Sequence, residues 1–294
     1  MPDTVRSPRS LLFVPATSPD KAEKALASAA DGVIVDLEDA VAVAEKPRAR
    51  ESAAALLKDR RPTQVYLRVN ALTTPFCFDD LAAAASATLD GIILPKAETA
   101  SELATVDWVL AQWESKLGKP VGSMAVLPIL ETARGIAAAA AIAQASTRVR
   151  QLMFGAVDFA LDLDVDITDE TGAIAHARFA VALASRQAGL AAPIDSVFTG
   201  IRDLDGLRAA SNRARAMGFG GKACIHPAQI ATINEVFSPS ETELARAREI
   251  VAAFEAAEAA GAAAVSVGGV MVDYPVVEKA RRVLATRRDT NTER

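Results

Sequence analysis

Two carboxylates at matching places in successive repeats are the clearest chemical signal in the chain. Glu131 closes the apolar run MAVLPILE (124–131), and Asp158 stands just past VRQLMFG (149–155). Oxygen donors of this kind hold a hard divalent cation and leave coordination places for water and substrate, so magnesium is the expected ion. Zinc is disfavoured because the chain has only two histidines, His176 and His226, and its two cysteines, Cys77 and Cys224, share no ligand spacing. A second acidic cluster lies upstream, where VIVDLEDAV (33–41) sets Asp36, Glu38 and Asp39 directly behind a β-branched run. Crowded carboxylates repel one another and are costly to desolvate, so this stretch requires a counter-ion. Glu38 and Asp39 are placed to bond the waters of the same metal ion, and Asp36 has the strand parity of Glu38. Each of the three could instead cap a helix or form a surface ion pair.

Two cations complete the set. Arg68, in YLRVN (66–70), sits in an apolar strand and needs an anion, which its planar fork would find in a substrate carboxylate, an enolate oxygen or one of the site acids. Lys96, in ILPKAE (93–98), offers a different chemistry, the Schiff base of a metal-free aldolase. That reading ranks below the metal one, because it leaves the acids without work.

Positioning these residues requires a repeating scaffold. Strand-like runs fall at 11–16, 32–38, 64–70, 91–96, 124–131, 149–155, 194–199 and 220–227, with helical patterns at 19–29, 46–58, 77–87, 100–116, 133–145, 173–188 and 203–217. Eight βα units with nearly continuous apolar strands predict an α/β fold, a (β/α)8 barrel, with a doubly wound open sheet as the rival. Polar residues end strand after strand: Glu38, then Arg68 and Asn70, Lys96, Glu131, Asp158, Asp195 with Ser196, and His226. In a barrel all these ends open on one face, which is therefore the predicted active site. The barrel domain is expected over 1–235. The remainder, 236–294, reads as a C-terminal extension with a long helix at 238–261, a hairpin across Gly268 and Gly269, a last helix, and a frayed tail at 287–294.

Composition sets the outer limits. A hydrophobic content of 51% over 294 residues supports a large globular core, and the net charge of -5 gives no basic footprint for nucleic acid. No segment reaches the ~20 apolar residues needed to span a bilayer, so no membrane association is expected. Unpaired cysteine spacing suits a reducing cytoplasm.

The motifs RSLLFVPA, VIVDLEDAV followed by EKPRAR, YLRVN, ILPKAE, LPILETARG, FGAVD, GFGGKACIHPAQI and GVMVDYPVVEKARRVL occur in this order from about residue 9 to about residue 286. Together they resemble the citrate lyase β-subunit-like branch of the HpcH/HpaI aldolase superfamily, which includes malyl-CoA and citramalyl-CoA lyases. The resemblance implies a (β/α)8 barrel, commonly a trimer, with magnesium held by Glu131 and Asp158. It implies that Arg68 contacts substrate, that Glu38 and Asp39 lie around the metal waters, and that Gly155 and Ala156 of the FG turn line the substrate. It also implies that Asp273, in MVDYP, serves as proton donor or acceptor in the site of a neighbouring subunit. Val157 departs from the pattern, since relatives often carry an acid there.

The implied reaction cleaves or forms a β-hydroxyacyl-CoA, with a 2-oxo acid and acetyl-CoA as the other side of the equilibrium. Magnesium would act as Lewis acid, Arg68 would stabilise the enolate, and Asp273 would move the proton at the acetyl carbon. Arg9, Lys21 and Lys24 are candidates for the CoA phosphates. The same residues could serve a thioesterase, a β subunit with carrier-protein and transferase partners, or a non-catalytic acyl-CoA or 2-oxo acid binder.

Overall fold

In the computed structural model, which describes residues 7–168 and 171–286, eight short parallel strands pair each with the next and the eighth with the first. They are β1 (Ser10–Pro15), β2 (Gly32–Asp36), β3 (Gln64–Arg68), β4 (Gly91–Leu94), β5 (Ala125–Leu130), β6 (Met153–Phe154), β7 (Ile194–Asp195) and β8 (Gly221–Cys224). Closure runs through Ser10 opposite Lys222 and Leu12 opposite Cys224. The closed ladder excludes the open doubly wound sheet. Around it lie α1 (Pro19–Leu26), α2 (Lys46–Leu56), α3 (Cys77–Ser86), α4 (Ala100–Lys116), α5 (Ala133–Ala137), α6 (Ala139–Ala143), α7 (Ala156–Leu163), α8 (Ala173–Gln187) and α9 (Leu204–Ala216).

Strand alternation decides what faces inward. Leu11, Ile34, Tyr66, Ile93, Ala125, Leu127, Ile129, Met153, Ile194 and Ala223 form one buried cluster in the barrel interior, with Phe13 and Val197 packed on it. Residues of the opposite parity, such as Val33, Val35, Leu67 and Ile92, are also buried, as a sheet covered by helices requires.

Several elements differ from the sequence expectation. The run at 149–155 keeps only Met153–Phe154 in the ladder, because Val149 makes just an isolated bridge to Val126. The helix expected at 133–145 is two short ones, divided at Ala138. Asp158, expected just past the strand at 149–155 with no helix there, lies in the first turn of α7, a helix anchored by buried Ala156, Phe159 and Ala160. A further helix, α10 (Ile230–Val236), follows the His226 turn.

The chain divides between Asn234 and Glu235 into two compact units. In the second, α11 (Glu241–Ala259) begins with a capping box, Ser240 accepting from the Glu243 N–H and Glu243 from that of Ser240. Strands β9 (Val265–Val267) and β10 (Val270–Val272) form a hairpin whose turn residues Gly268 and Gly269 both have positive φ, 57° and 78°. Helix α12 (Tyr274–Ala285) follows, and Phe254, Val267, Val272 and Val277 make the core of this unit. The tail expected to fray, 287–294, lies outside the described residues.

Candidate active site

The inward parity of the barrel continues past the apolar plug into polar residues at the carboxyl ends of the strands. Two positions beyond Ile34 is Asp36, beyond Tyr66 is Arg68, beyond Ile129 is Glu131, beyond Met153 is Gly155, and beyond Ile194 is Ser196. A cavity of about 360 Å3 opens here, lined by Asp36, Asp39, Arg68, Glu131, Gly155, Asp158 and Ser196 together with apolar residues. The period-two rule thus brings Glu131, Asp158 and Arg68 to one concavity from segments up to 90 residues apart (68 to 158).

The acidic loop after β2 is balanced chiefly by cations of the protein itself. Arg68 clamps Asp36 with two bonds, Nε to Oδ1 at 2.7 Å and Nη2 to Oδ2 at 2.6 Å. Asp36 also accepts the backbone N–H groups of Glu38 at 2.9 Å and Ala40 at 3.2 Å, so it folds the loop over itself. Nη1 of Arg68 lies 2.8 Å from Glu38 Oε2. That contact lacks hydrogen-bond alignment, and Oε2 has no hydrogen-bond partner. The other oxygen, Glu38 Oε1, accepts from Lys96 Nζ at 2.5 Å. Beneath the loop, buried Lys46 donates to the carbonyls of Leu37 and Glu38 at 2.8 and 2.7 Å.

These contacts set the protonation states. Burial opposes the charge on Arg68, but Asp36, Glu38 and Glu131 overcome it and hold the guanidinium above its ordinary pKa. Burial raises the Glu38 carboxyl, although Arg68 and Lys96 pull it down. For Lys96 burial again opposes charge, yet Glu38, Glu131 and Asp39 raise it above the usual lysine range. An amine held more firmly protonated than normal is a poor nucleophile, so the Schiff-base option is not supported. Lys96 acts instead as an ion-pair partner, its Nζ also 3.8 Å from Asp39 and 3.9 Å from Asp158.

Glu131 has no cation of its own within ion-pair reach among the described residues. Its Oε1 accepts the Lys96 backbone N–H at 2.8 Å, a bond that fixes the carboxylate while Lys96 takes a positive φ of 50°. Burial, then repulsion from Asp158 and Glu38, pushes its carboxyl up to about 8. Gly155 makes room for it, since a Cβ at 155 would collide with Glu131 Oε2 and stand 2.6 Å from its Cβ. Ser196 Oγ accepts the Ala156 N–H at 2.9 Å and so sets the start of α7, which carries Asp158. A buried carboxylate repelled by a second one, in a cradle only glycine permits, fits a hard cation. Among the described residues no group of three or more His, Cys, Asp or Glu side chains gathers for a metal. The pair suits an ion that keeps most of its coordination for water and substrate.

Other sequence candidates fall elsewhere. Asp195 has the outward parity of β7 and is buried between Arg178 Nε at 2.8 Å and Lys222 Nζ at 2.5 Å, a structural pairing. Asn70 ties Leu37 O and Asp80 Oδ2 together. His226 caps a turn, its Nδ1 accepting the Ala228 N–H at 3.1 Å, and lines a separate cavity with Ile201, Arg202 and Leu204. Arg9 is not available to a CoA phosphate at the mouth, because it precedes β1 at the opposite end of the barrel and is bound by Asp31. Lys21 and Lys24 are exposed on α1. Asp273 belongs to the second unit, where its Oδ1 accepts the Val276 N–H at 3.3 Å as the cap of α12. Ser196, expected among the strand-end polar residues of this face, does line the cavity, whereas Lys46 was not singled out from the sequence; the signal available was a lysine opening a helix directly after the acid loop.

A family model described as HpcH/HpaI aldolase/citrate lyase matches residues 9–227. The citrate lyase subunit beta of Leuconostoc mesenteroides subsp. cremoris is 36% identical over 278 residues, covering 94% of this chain and 92% of that protein. An L-malyl-CoA/beta-methylmalyl-CoA lyase of Cereibacter sphaeroides is 37% identical, covering 96% of this chain and 95% of its own. Among solved structures, the protein CitE from Mycobacterium tuberculosis in complex with magnesium, acetoacetate and coenzyme A is 33% identical. It superposes with a TM-score of 0.78, covering 95% of this chain and 97% of that one.

Proposed function

The chain belongs to the HpcH/HpaI aldolase/citrate lyase family, and from that premise we propose that it is a magnesium-dependent carbon–carbon lyase acting on a β-hydroxyacyl thioester such as malyl-CoA or citramalyl-CoA. The products in the cleavage direction are a 2-oxo acid and acetyl-CoA. The observation that carries the reading is the convergence of Glu131, Asp158 and Arg68 on one cavity at the carboxyl end of the barrel. Solved relatives in complex with magnesium and acetoacetate or oxaloacetate support it.

Glu131 and Asp158 would hold the magnesium ion, which supplies a Lewis acid for the hydroxyl and carboxylate of the acyl unit. Lys96 contributes its N–H to keep Glu131 in place, and its ammonium, bonded to Glu38 Oε1, opposes the rise that burial imposes on the Glu38 carboxyl. Glu38 Oε2, buried and without a hydrogen bond, and Asp39 at the cavity edge are acceptors for ordered water or substrate hydroxyl. Arg68, locked on Asp36, presents a fixed positive charge to the thioester enolate oxygen. Gly155, which lines the cavity and has no side chain to intrude, would receive the acyl unit together with the neighbouring Ala156, which is buried behind the lining with its N–H on Ser196 Oγ. Asp273, from the C-terminal unit of a neighbouring copy in a homotrimer, would return the proton to the enolate carbon, and remove it in the condensation direction. We place the protein in the cytoplasm, with no nucleic acid or membrane partner; among the described residues no helix is long and apolar enough to cross a membrane.

Mass spectrometry of products from malyl-, citramalyl- and methylmalyl-CoA, with magnesium and with EDTA, tests the proposal. A 2-oxo acid with acetyl-CoA or its homologue, lost with EDTA, is expected. Free CoA with a hydroxy acid would instead identify a thioesterase and overturn the lyase assignment.

A further inference from the structure

The amino-terminal end of the barrel, away from Glu131 and Asp158, holds a separate cavity of about 170 Å3. Its lining comes from residues that lead into strands: Pro8 before β1, Asp90 before β4, Ser123 before β5, Arg150 and Gln151 before β6, and Ala191 before β7. In a parallel barrel these positions share one end. Tyr66 leans into this end from β3, its hydroxyl directed at Oε1 of Gln64, which is two residues nearer the start of the strand. That contact is 3.5 Å long, at the outer limit of a hydrogen bond, although Tyr66 is only 4% exposed. A buried hydroxyl so poorly satisfied has room for a better acceptor. Burial and the nearby Asp90 raise the phenol above its ordinary pKa, so it stays protonated and able to donate.

The other polar groups of the lining are mostly committed. Asp90 Oδ1 accepts from Arg60 Nη2 at 3.1 Å and its Oδ2 from the Val65 N–H at 2.8 Å. Ser123 donates to Glu114, and Gln151 Nε2 to the Ala192 carbonyl. Arg150 differs: its exposed side chain makes no hydrogen bond or ion pair among the described residues, yet it is near enough to act on the Tyr66 phenol. With Arg60 matched by Asp90, Arg150 leaves the cavity one positive charge in surplus.

We infer that this end of the barrel carries a second binding site, for a short-chain monocarboxylate held between Arg150 and Tyr66. The planar guanidinium takes both carboxylate oxygens, and the phenol donates a further bond. Leu89, Ala125 and Leu127 give the hydrocarbon end an apolar wall. At about 30 Å3 per water, the space equals roughly five or six waters, which suits an acid of the size of acetate to butyrate. A phosphate dianion fits less well, because it brings two charges to one unmatched cation and sets oxygens against leucine side chains.

The test is titration calorimetry of butyrate, and separately of inorganic phosphate, into the full-length protein in EDTA, repeated with Arg150→Gln and Tyr66→Phe. Both variants are compatible with folding, since Arg150 is exposed and phenylalanine keeps the ring in the barrel core; their unfolding midpoints verify this. Butyrate should bind at millimolar concentration and more tightly than phosphate. Arg150→Gln should weaken butyrate binding on the order of tenfold or more, and Tyr66→Phe by about three- to tenfold. Absence of butyrate binding to the wild-type protein overturns the inference, and so does unchanged binding in a folded Arg150→Gln protein, which would place the acid at another site. Phosphate bound as tightly as butyrate overturns the assignment to a monocarboxylate.

Discussion

Replacing Glu131 by glutamine should stabilise the metal-free protein, an unusual result for a buried site residue. In the folded state the carboxyl is pushed up to about 8, against 4.5 for an unperturbed glutamate. Below pH 4.5 both folded and unfolded chains carry the proton, and the group contributes nothing to the pH dependence. Between 4.5 and 8 the unfolded chain is ionised while the folded one retains the proton, so folding binds a proton and stability falls as pH rises. At about 1.4 kcal/mol per unit, the loss reaches on the order of 3 kcal/mol at pH 7 and 5 kcal/mol above pH 8. Glutamine keeps the acceptor for the Lys96 N–H and removes the charge that burial and Asp158 oppose. In EDTA at pH 8.5, thermal unfolding of Glu131→Gln should therefore lie above wild type by on the order of 5 °C or more, a gap that closes toward pH 5. With magnesium the order reverses, because wild type gains binding energy and the variant does not. The reasoning is refuted if the variant is no more stable than wild type in EDTA at pH 8.5, or if the gap does not shrink on acidification.

Three further outcomes follow from the same geometry. Lys96→Met removes the ammonium from Glu38 Oε1 and should cost about 1–3 kcal/mol in denaturant unfolding, while borohydride treatment of wild type with substrate traps no adduct at residue 96. Gly155→Ala drives a methyl group into the Glu131 carboxylate, and titration calorimetry should show magnesium binding weakened tenfold or more, with overpacking of about 1–3 kcal/mol in stability. Asp273→Asn keeps the α12 cap, leaving the unfolding midpoint within about 0.5 kcal/mol of wild type, yet should lower turnover at least 100-fold without changing magnesium affinity; retained turnover would exclude Asp273 as the proton carrier.

The barrel was legible because its strands are short, apolar and regularly spaced, and because parity alone carries Arg68, Glu131 and Gly155 to the same face as the core residues two positions before them. Asp158 is legible from its place after the FG turn, whereas the helix that carries it is not, because α7 has only 8 residues and its buried face is marked by Ala156, Phe159 and Ala160 alone. Parity also explains the misplaced candidate. Asp195 ends a strand as Glu131 does, but one residue out of phase with Ser196, and so it meets Arg178 and Lys222 in the helix layer. Arg9 was legible too: it precedes the strand expected at 11–16, and in a parallel barrel a residue before a strand lies at the end opposite the mouth, where Arg9 meets Asp31. Least legible was the neutralisation of the acidic loop, because the cations that meet it from 8 and 58 residues away, Lys46 on the Glu38 carbonyl and Lys96 on its carboxylate, are chosen by tertiary packing and not by local pattern.

That neutralisation changes what a metal ion is needed for. The acids of VIVDLEDAV demand positive charge, and the sequence alone pointed to the magnesium ion as its source. In the fold, Asp36 is answered by Arg68, Glu38 by Lys96 and Arg68, and the loop carbonyls by Lys46. Taken fully ionised, the five carboxylates Asp36, Glu38, Asp39, Glu131 and Asp158 face three cations, and the remaining deficit equals the charge of one divalent ion. The deficit is localised: Glu131 is buried with one backbone donor, repelled by Asp158, and seated against a glycine that could not be any other residue without moving it. A loop that relied on the metal for its own neutrality would unfold when the ion left. Here the protein cations hold the loop, and the remaining repulsion falls on the Glu131 and Asp158 pair, where a dication would relieve it and where the proposed chemistry needs one.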